Sequence, residues 1–198
     1  MTHERRDDDV AGAMSALDRR AFLPADQRAH ADEDRPLPIG IGQTCSQPAT
    51  VAAMLRLLDV PAGARVLDVG AGSGWTTAIL GRLVGPGGRV VGVELEPELA
   101  VRAAEHVARW GMPWADVRAA RPGVLGWPDP AGYDRILCSA SPDHLPDELV
   151  EQLTDGGRLV MPVGEQMWLV ERHGDTVHRS THGLYRFVPL RDRPVGGG

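Results

Sequence analysis

Residues 65–74, RVLDVGAGSG, constrain this chain more than any other stretch, because a short apolar run feeds directly into three closely spaced glycines. Val66, Leu67 and Val69 have the apolar density of a strand covered on both faces, as in the parallel sheet of a layered α/β fold. Gly70, Gly72 and Gly74 allow a sharp turn and a close approach of backbone to a ligand. Their spacing restricts that ligand. A dinucleotide turn reads G-x-G-x-x-G, its third glycine letting the following helix pack on the strand. Starting from Gly70 and Gly72 that place falls on Trp75, and starting from Gly72 and Gly74 it falls on Thr77, so both registers fail. Asp68 adds an acidic group at the turn, which opposes a pyrophosphate and suits a cationic or hydroxyl-bearing ligand.

A second apolar run, RVVGVEL at residues 89–95, ends in Glu94, where one carboxylate can accept from both hydroxyls of a ribose. Between the runs, residues 75–84 carry Ile79, Leu80 and Leu83 at helical spacing, and Gly85-Pro86-Gly87-Gly88 stops the helix. This is one right-handed βαβ unit. Its glycine spacing, Asp68 and Glu94 together favour S-adenosylmethionine over NAD as the cofactor. Beyond it the alternation continues: a helix over 97–110, a short strand over 115–119, a loop over 121–132, a strand over 133–140, a helix over 146–153 and a strand over 158–163. Residues 167–171 and 176–180 read as antiparallel edge strands. The predicted fold class is α/β, Rossmann-like: a mostly parallel sheet with helices on both faces and antiparallel C-terminal strands. The ligand belongs over the carboxyl ends of the first two core strands, near the topological switch point.

With 198 residues and 42% hydrophobic content the chain has the material for one full core. The expected division is a disordered 1–9, N-terminal helices and a site loop over 10–62, a cofactor-binding core over 63–192 and a flexible 193–198. A net charge of −6 without a long basic cluster argues against nucleic acid as a partner. Cys45 and Cys138, far apart in the chain, fit a reducing compartment, and no apolar run reaches membrane-spanning length. The charged start MTHERRDDDV is unlike a signal peptide, so the expected location is cytoplasmic, without a membrane partner and as a monomer. No His pair stands at metal-ligand spacing, His144 reads as a solvated loop residue, and no metal is expected.

Residues 36–51, PLPIGIGQTCSQPATV, mix Pro, Gly and hydroxyl residues ahead of a helix over 47–58 that places Val51, Met54, Leu55 and Leu58 on one face. Ser46, just before Pro48 in the first turn, has the sequence position of an N-cap. The same placement makes Thr44 and Ser46 an anion site at a helix N-terminus, with backbone donors facing a carboxylate.

Five stretches carry a resemblance to the protein-L-isoaspartate O-methyltransferases, spanning residues 10–190: PLPIGIGQTCSQP (36–48), VLDVGAGSGW (66–75), YDRILCSA (133–140), LPDELVEQLTDGGRLVMPVG (145–164) and RFVPL (186–190). The resemblance implies a class I methyltransferase that transfers the methyl of S-adenosylmethionine to the α-carboxylate of L-isoaspartyl residues in damaged proteins or peptides, leaving S-adenosylhomocysteine. The methyl ester then closes to a succinimide that reopens partly to normal aspartate. By the same likeness Ser46 and Thr44 are the catalytic residues, flanked by Gln43 and Cys45 as substrate contacts. Asp68, Gly70, Ala71, Gly72, Ser73, Gly74 and Trp75 form the cofactor turn, and Glu94 and Leu95 hold the ribose end. A carboxylate with a pKa near ~4 is ionised at neutral pH, so its attack on the methyl group requires no general base. Two positions depart from the family pattern: Pro122 stands where an acidic residue is usual, and Cys45 lies between the Thr and the Ser. Three alternatives stay open: aspartate methylation in a biosynthetic peptide, a non-catalytic adenosylmethionine-binding module, and a nicotinamide oxidoreductase. Methylation of exocyclic base amines is disfavoured by Ser139-Ala140-Ser141-Pro142, which lacks an Asn/Asp-Pro-Pro-aromatic motif.

Overall fold

A computed structural model describes residues 3–191, with side chains from residue 9 onward. Helix α1 (His3–Ser15), two short 3₁₀ turns (Arg19–Phe22 and Ala25–His30), a hairpin of β1 (Leu37–Gly40) and β2 (Gln43–Cys45), and helix α2 (Pro48–Leu58) precede the core. The core then runs β3 (Arg65–Val69), α3 (Trp75–Val84), β4 (Arg89–Glu94), α4 (Pro97–Ala108), β5 (Ala115–Ala119), β6 (Tyr133–Cys138) and α5 (Asp147–Glu151). It closes with β7 (Leu153–Val163), β8 (Gln166–His173) and β9 (Thr176–Leu184).

Seven strands form one sheet in the order β5-β4-β3-β6-β7-β8-β9, with β3 to β7 parallel and β8 and β9 antiparallel. The chain steps outward from β3 through β4 to β5 and then returns to the other side of β3, so the topological switch lies between β3 and β6. Side chains alternate across the sheet, and this alternation divides the core. Val66 and Val90 point into the layer made with α2, α3 and α4, whereas Leu67, Val69, Val91 and Val93 meet Ile136, Leu149 and Leu159 on the other face. The α/β expectation holds, including the antiparallel C-terminal pair. Among the described residues no helix is long and apolar enough to cross a membrane.

The structure departs from the sequence reading in three places. Helix α1 begins at His3, where residues 1–9 were expected to be disordered; residues 1 and 2 and the glycine tail lie outside the described residues. Its later turns are anchored by buried Val10 and Ala13, and extending an anchored helix costs far less than nucleating one. The 36–46 loop is a hairpin, closed by Ile41 (φ 53°) and Gly42 (φ 67°), the pair of positive φ values that a two-residue type I′ turn requires. Strand β7 starts at Leu153, not 158, because it pairs with Tyr133 before a bulge through Gly156 (φ 73°) restores register at Arg158.

Gly74 is a packing residue. It holds a φ of 86°, and a Cβ there would sit 2.9 Å from the carbonyl oxygen of Ala103 on α4. Its hydrogen atom is what lets α4 lie against the start of α3. Gly74→Ala combines a left-handed backbone with overpacking, and we expect a loss of about 2–4 kcal/mol of stability, read from urea unfolding. An unchanged midpoint would show that α4 is free to shift.

Candidate active site

A cavity of about 940 Å³ opens at the carboxyl ends of β3, β4 and β6, large enough for a nucleoside-sized cofactor and part of a substrate. Gln43, Thr44, Cys45 and Ser46 line it from the hairpin side. Gly70, Ala71, Gly72, Ser73 and Trp75 line it from the turn after β3, and Glu94 and Leu95 from the end of β4. Eleven of the anticipated site residues therefore share one cavity. Asp68 and Gly74 do not line it.

Asp68 is fully buried on the α3 side of β3, where the Thr77 hydroxyl donates to its Oδ2 at 2.6 Å. Strand alternation turns its side chain toward the helix and away from the cavity, so its expected role as a direct cofactor ligand is corrected to that of a support behind the turn. Gly92 on β4 makes room for this contact, since a Cβ there would lie 2.7 Å from the Thr77 oxygen. Burial, only partly offset by the Thr77 hydrogen bond, pushes the Asp68 carboxyl up to about 7, and the nearby Glu94 charge adds to the rise.

Glu94 closes the turn. Its Oε2 accepts from the Gly72 N–H at 2.7 Å and its Oε1 from the Glu96 N–H at 3.0 Å. Burial raises its pKa above the ordinary value, opposed by backbone donors from Glu96, Gly72 and Leu95. Each carboxylate oxygen has a second lone pair, so a group already fixed by the backbone keeps acceptors for a ribose diol.

The hairpin lies directly against this turn: a Cβ on Gly72 would come 3.4 Å from Ile39 Cδ1 and 3.9 Å from the Thr44 carbonyl oxygen. Cys45 is buried, Ser46 is half-buried and Thr44 is exposed. Ser46 is not the cap of α2. The N-cap position is Gln47, and the capping acceptor is Asp34, whose Oδ1 takes the Ala49 N–H at 2.9 Å while Oδ2 takes Gln47 Nε2 at 3.0 Å. Those two hydrogen bonds hold the Asp34 carboxyl below its ordinary range. Capping rules examine neighbouring residues, and a cap fifteen positions upstream escapes them. The Ala49 donor is thereby taken, which removes it from the expected anion site and leaves the Thr44 and Ser46 hydroxyls at the cavity.

Two further walls were not assigned from the sequence. One is the loop carrying Arg121, Gly123, Val124 and Leu125, which is held by buried Gln152: its Nε2 donates to the Leu125 carbonyl at 2.9 Å, and its Oε1 accepts the Trp127 N–H at 3.0 Å. Pro122 is exposed, and Arg121 beside it lays its guanidinium 3.7 Å from the centre of the Trp127 ring. The other is the C-terminal stretch Phe187, Val188, Pro189, Leu190 and Arg191, tied down by Ser141 N–H to the Val188 carbonyl and Leu190 N–H to the Ser141 carbonyl, both at 2.9 Å. Arg191 then reaches Glu96 at 2.8 Å. The RFVPL motif was the available signal for that wall. Among the described residues no group of three or more His, Cys, Asp or Glu is placed to hold a metal ion, and His144 is exposed.

A pH dependence follows from Asp68. Its carboxyl titrates near 3.8 when unfolded and near 7 when folded, so between these values the native state binds more protons and stability falls as pH rises. Asp68→Asn removes this cost. The melting-temperature gain of the variant over wild type should grow from about pH 4 to about pH 7 and level off above it, measured on paired samples. A gain independent of pH would contradict a buried, perturbed carboxyl.

The family model described as protein-L-isoaspartate(D-aspartate) O-methyltransferase matches residues 2–194. A protein-L-isoaspartate O-methyltransferase of Methanopyrus kandleri is 45% identical over 190 residues, covering 93% of this chain and 84% of its own. One from Anaeromyxobacter dehalogenans is 45% identical over 196 residues, covering 96% and 92%. Among solved structures, a protein-L-isoaspartate O-methyltransferase superposes with a TM-score of 0.85 at 25% identity, over 96% of this chain and 66% of that one. A second, from Plasmodium falciparum and in complex with S-adenosyl-L-homocysteine, gives 0.79 at 24% identity, over 94% and 91%, and bears on the fold. With its turn, hairpin and sheet order in place, the chain belongs to the protein-L-isoaspartate(D-aspartate) O-methyltransferase family.

Proposed function

We propose that this protein transfers the methyl group of S-adenosylmethionine to the α-carboxylate of L-isoaspartyl residues in damaged proteins or peptides. The observation that carries this reading is the shared wall: a hydroxyl-bearing hairpin packs against a glycine turn so that Ser46, Gly72 and Glu94 face one cavity. The residues present suit the cofactor. Glu94 has spare acceptors for the ribose hydroxyls, Gly70 and Gly72 expose backbone without side chains, and the cavity has the needed volume. When bound, S-adenosylmethionine supplies an electrophilic methyl on a sulfonium and is left as S-adenosylhomocysteine.

The chain's own residues then have a limited task. The substrate carboxylate is already ionised, so no residue has to remove a proton. Ser46 and Thr44 offer hydroxyl donors to it, and apolar Cys45 excludes water between them. Holding the carboxylate in line can supply roughly 7–11 kcal/mol of the barrier reduction, which is why a site without a His or Cys dyad suffices.

Location and assembly follow the same reading. Cys45 and Cys138 are both buried free thiols, which suits the reducing cytoplasm. The cavity walls described above come from one chain, and the proposed reading takes the protein to act as a monomer. The net charge of −6 speaks for protein or peptide substrates over nucleic acid.

Incubation with labelled S-adenosylmethionine and paired isoaspartyl and aspartyl peptides tests the activity directly. Base-labile label should enter only the isoaspartyl peptide; label in neither, with cofactor bound, would leave a binding module. Because Asp34 caps α2, Ser46→Ala should keep its melting temperature and cofactor affinity yet lose ten- to a hundredfold in kcat/KM, the size of a lost hydrogen bond to a charged group of about 1.5–3 kcal/mol. Glu94→Ala should act mainly on the cofactor KM, because a ribose contact is the same before and during transfer. A steep fall in its kcat at unchanged KM would remove Glu94 from the ribose.

A further inference from the structure

Arg19 is among the most buried charged residues of the chain, with 5% of its surface exposed; among the described residues no carboxylate lies within ion-pair distance of it, and Asp34, whose carboxyl it helps to hold ionised, stands beyond that distance. Both terminal nitrogens of its guanidinium are satisfied by backbone carbonyls, while the buried Nε has no hydrogen-bond partner among the described residues. Nη1 donates to Ala31 at 3.2 Å and Glu33 at 3.0 Å, and Nη2 donates to Arg35 at 2.9 Å, Cys45 at 3.1 Å and Ser46 at 2.9 Å. The guanidinium carbon lies 5.3 Å from the centre of the Trp75 ring, the residue that follows the glycine turn. Trp75 in turn donates from Nε1 to the Leu17 carbonyl at 3.3 Å. Phe22, in the same 3₁₀ turn as Arg19, stacks on Trp110 and meets His106 edge-on, and His106 Nδ1 donates to the Ser73 carbonyl at 2.9 Å. The guanidinium is thus fixed to the cofactor turn on one side and grips the Cys45-Ser46 backbone on the other.

We infer that Arg19 is a positioning residue for methyl transfer, its fork setting the Ser46 hydroxyl relative to the cofactor turn and its buried charge drawing the substrate carboxylate to that hydroxyl. The inference rests on the function proposed above. The two contributions separate in kinetics. The fork fixes geometry, so losing it acts on kcat. The charge acts on the carboxylate before the reaction begins, while that group is still fully ionised, so losing it acts on the peptide KM. Arg and Lys are not equivalent here: a lysine keeps the charge but cannot span five carbonyls on two edges.

The test compares wild type, Arg19→Lys and Arg19→Met in kcat and KM for an isoaspartyl peptide, with rates normalised to the S-adenosylhomocysteine sites counted by calorimetry. Arg19→Lys should keep the peptide KM within about twofold and lose about tenfold in kcat. Arg19→Met should lose as much in kcat and also raise the peptide KM at least tenfold, while the cofactor KM stays unchanged in both. A wild-type kcat per binding site in either variant overturns the positioning role, and equal peptide KM values for Lys and Met overturn the role of the charge. Loss of S-adenosylhomocysteine binding in both variants marks Arg19 as a folding residue and overturns the proposal. A wild-type protein that binds cofactor but methylates no isoaspartyl peptide removes the function itself, and the inference with it, before any variant is compared.

Discussion

The end of β4 holds three successive N–H groups of the turn that follows β3. The Val93 carbonyl accepts from Gly70 at 2.9 Å and from Ala71 at 3.0 Å, and the Glu94 carboxylate accepts from Gly72 at 2.7 Å. The turn is therefore an extension of the parallel pairing that runs from Arg65 opposite Arg89 to Val69 opposite Val93. Register fixes this arrangement. A slip of one residue would bring the opposite face of β4 to the turn and take Glu94 away from Gly72. Everything built on the turn inherits its rigidity: α3 begins on it, α4 packs through Gly74, and the β1-β2 hairpin rests against Gly72.

The core was legible because its signals are local and periodic. The apolar runs at 65–69 and 89–94, the glycine stop at 85–88 and the alternation in 167–171 each translate into an element without information from elsewhere in the chain. Site residues on the turn and on β4 follow from the same signals. The N-terminal part was less legible because its determinants are long-range. Asp34 caps a helix it does not adjoin, and Arg19 organises carbonyls twelve to twenty-seven residues away. Neither contact has a sequence spacing to recognise. Asp68 shows a third limit: its position in the motif was visible, but the side of the strand it occupies depends on the sheet.

Of the four buried charged groups around the site, Glu96 pairs with Arg191, and the other three are each satisfied differently. Arg19 meets carbonyls, Glu94 meets N–H groups, and Asp68 meets one hydroxyl. Backbone partners are fixed dipoles, whereas a salt bridge would cancel most of the field. Glu94 thus places negative charge on the β4 side and Arg19 positive charge behind the hairpin, the latter partly opposed by the Asp34 carboxylate. The cost is carried partly by Asp68, the least compensated of the three, whose Oδ1 has no hydrogen-bond partner among the described residues.

That polarity also explains why the charges stand one layer away from the reacting groups. A carboxylate attacking a sulfonium methyl loses charge as the bond forms, so a cation in direct contact with the carboxylate would stabilise the reactant more than the transition state and slow the reaction. In the proposed mechanism Arg19 avoids this by acting through the Cys45 and Ser46 carbonyls, and the neutral hydroxyl of the cavity-lining Ser46 serves as the donor. The neighbouring Cys45, apolar and buried, adds no competing charge. A site for this chemistry has to collect two opposite ions without holding either strongly. Backbone-mediated charges and neutral hydroxyl donors, set on a rigid turn, meet both requirements.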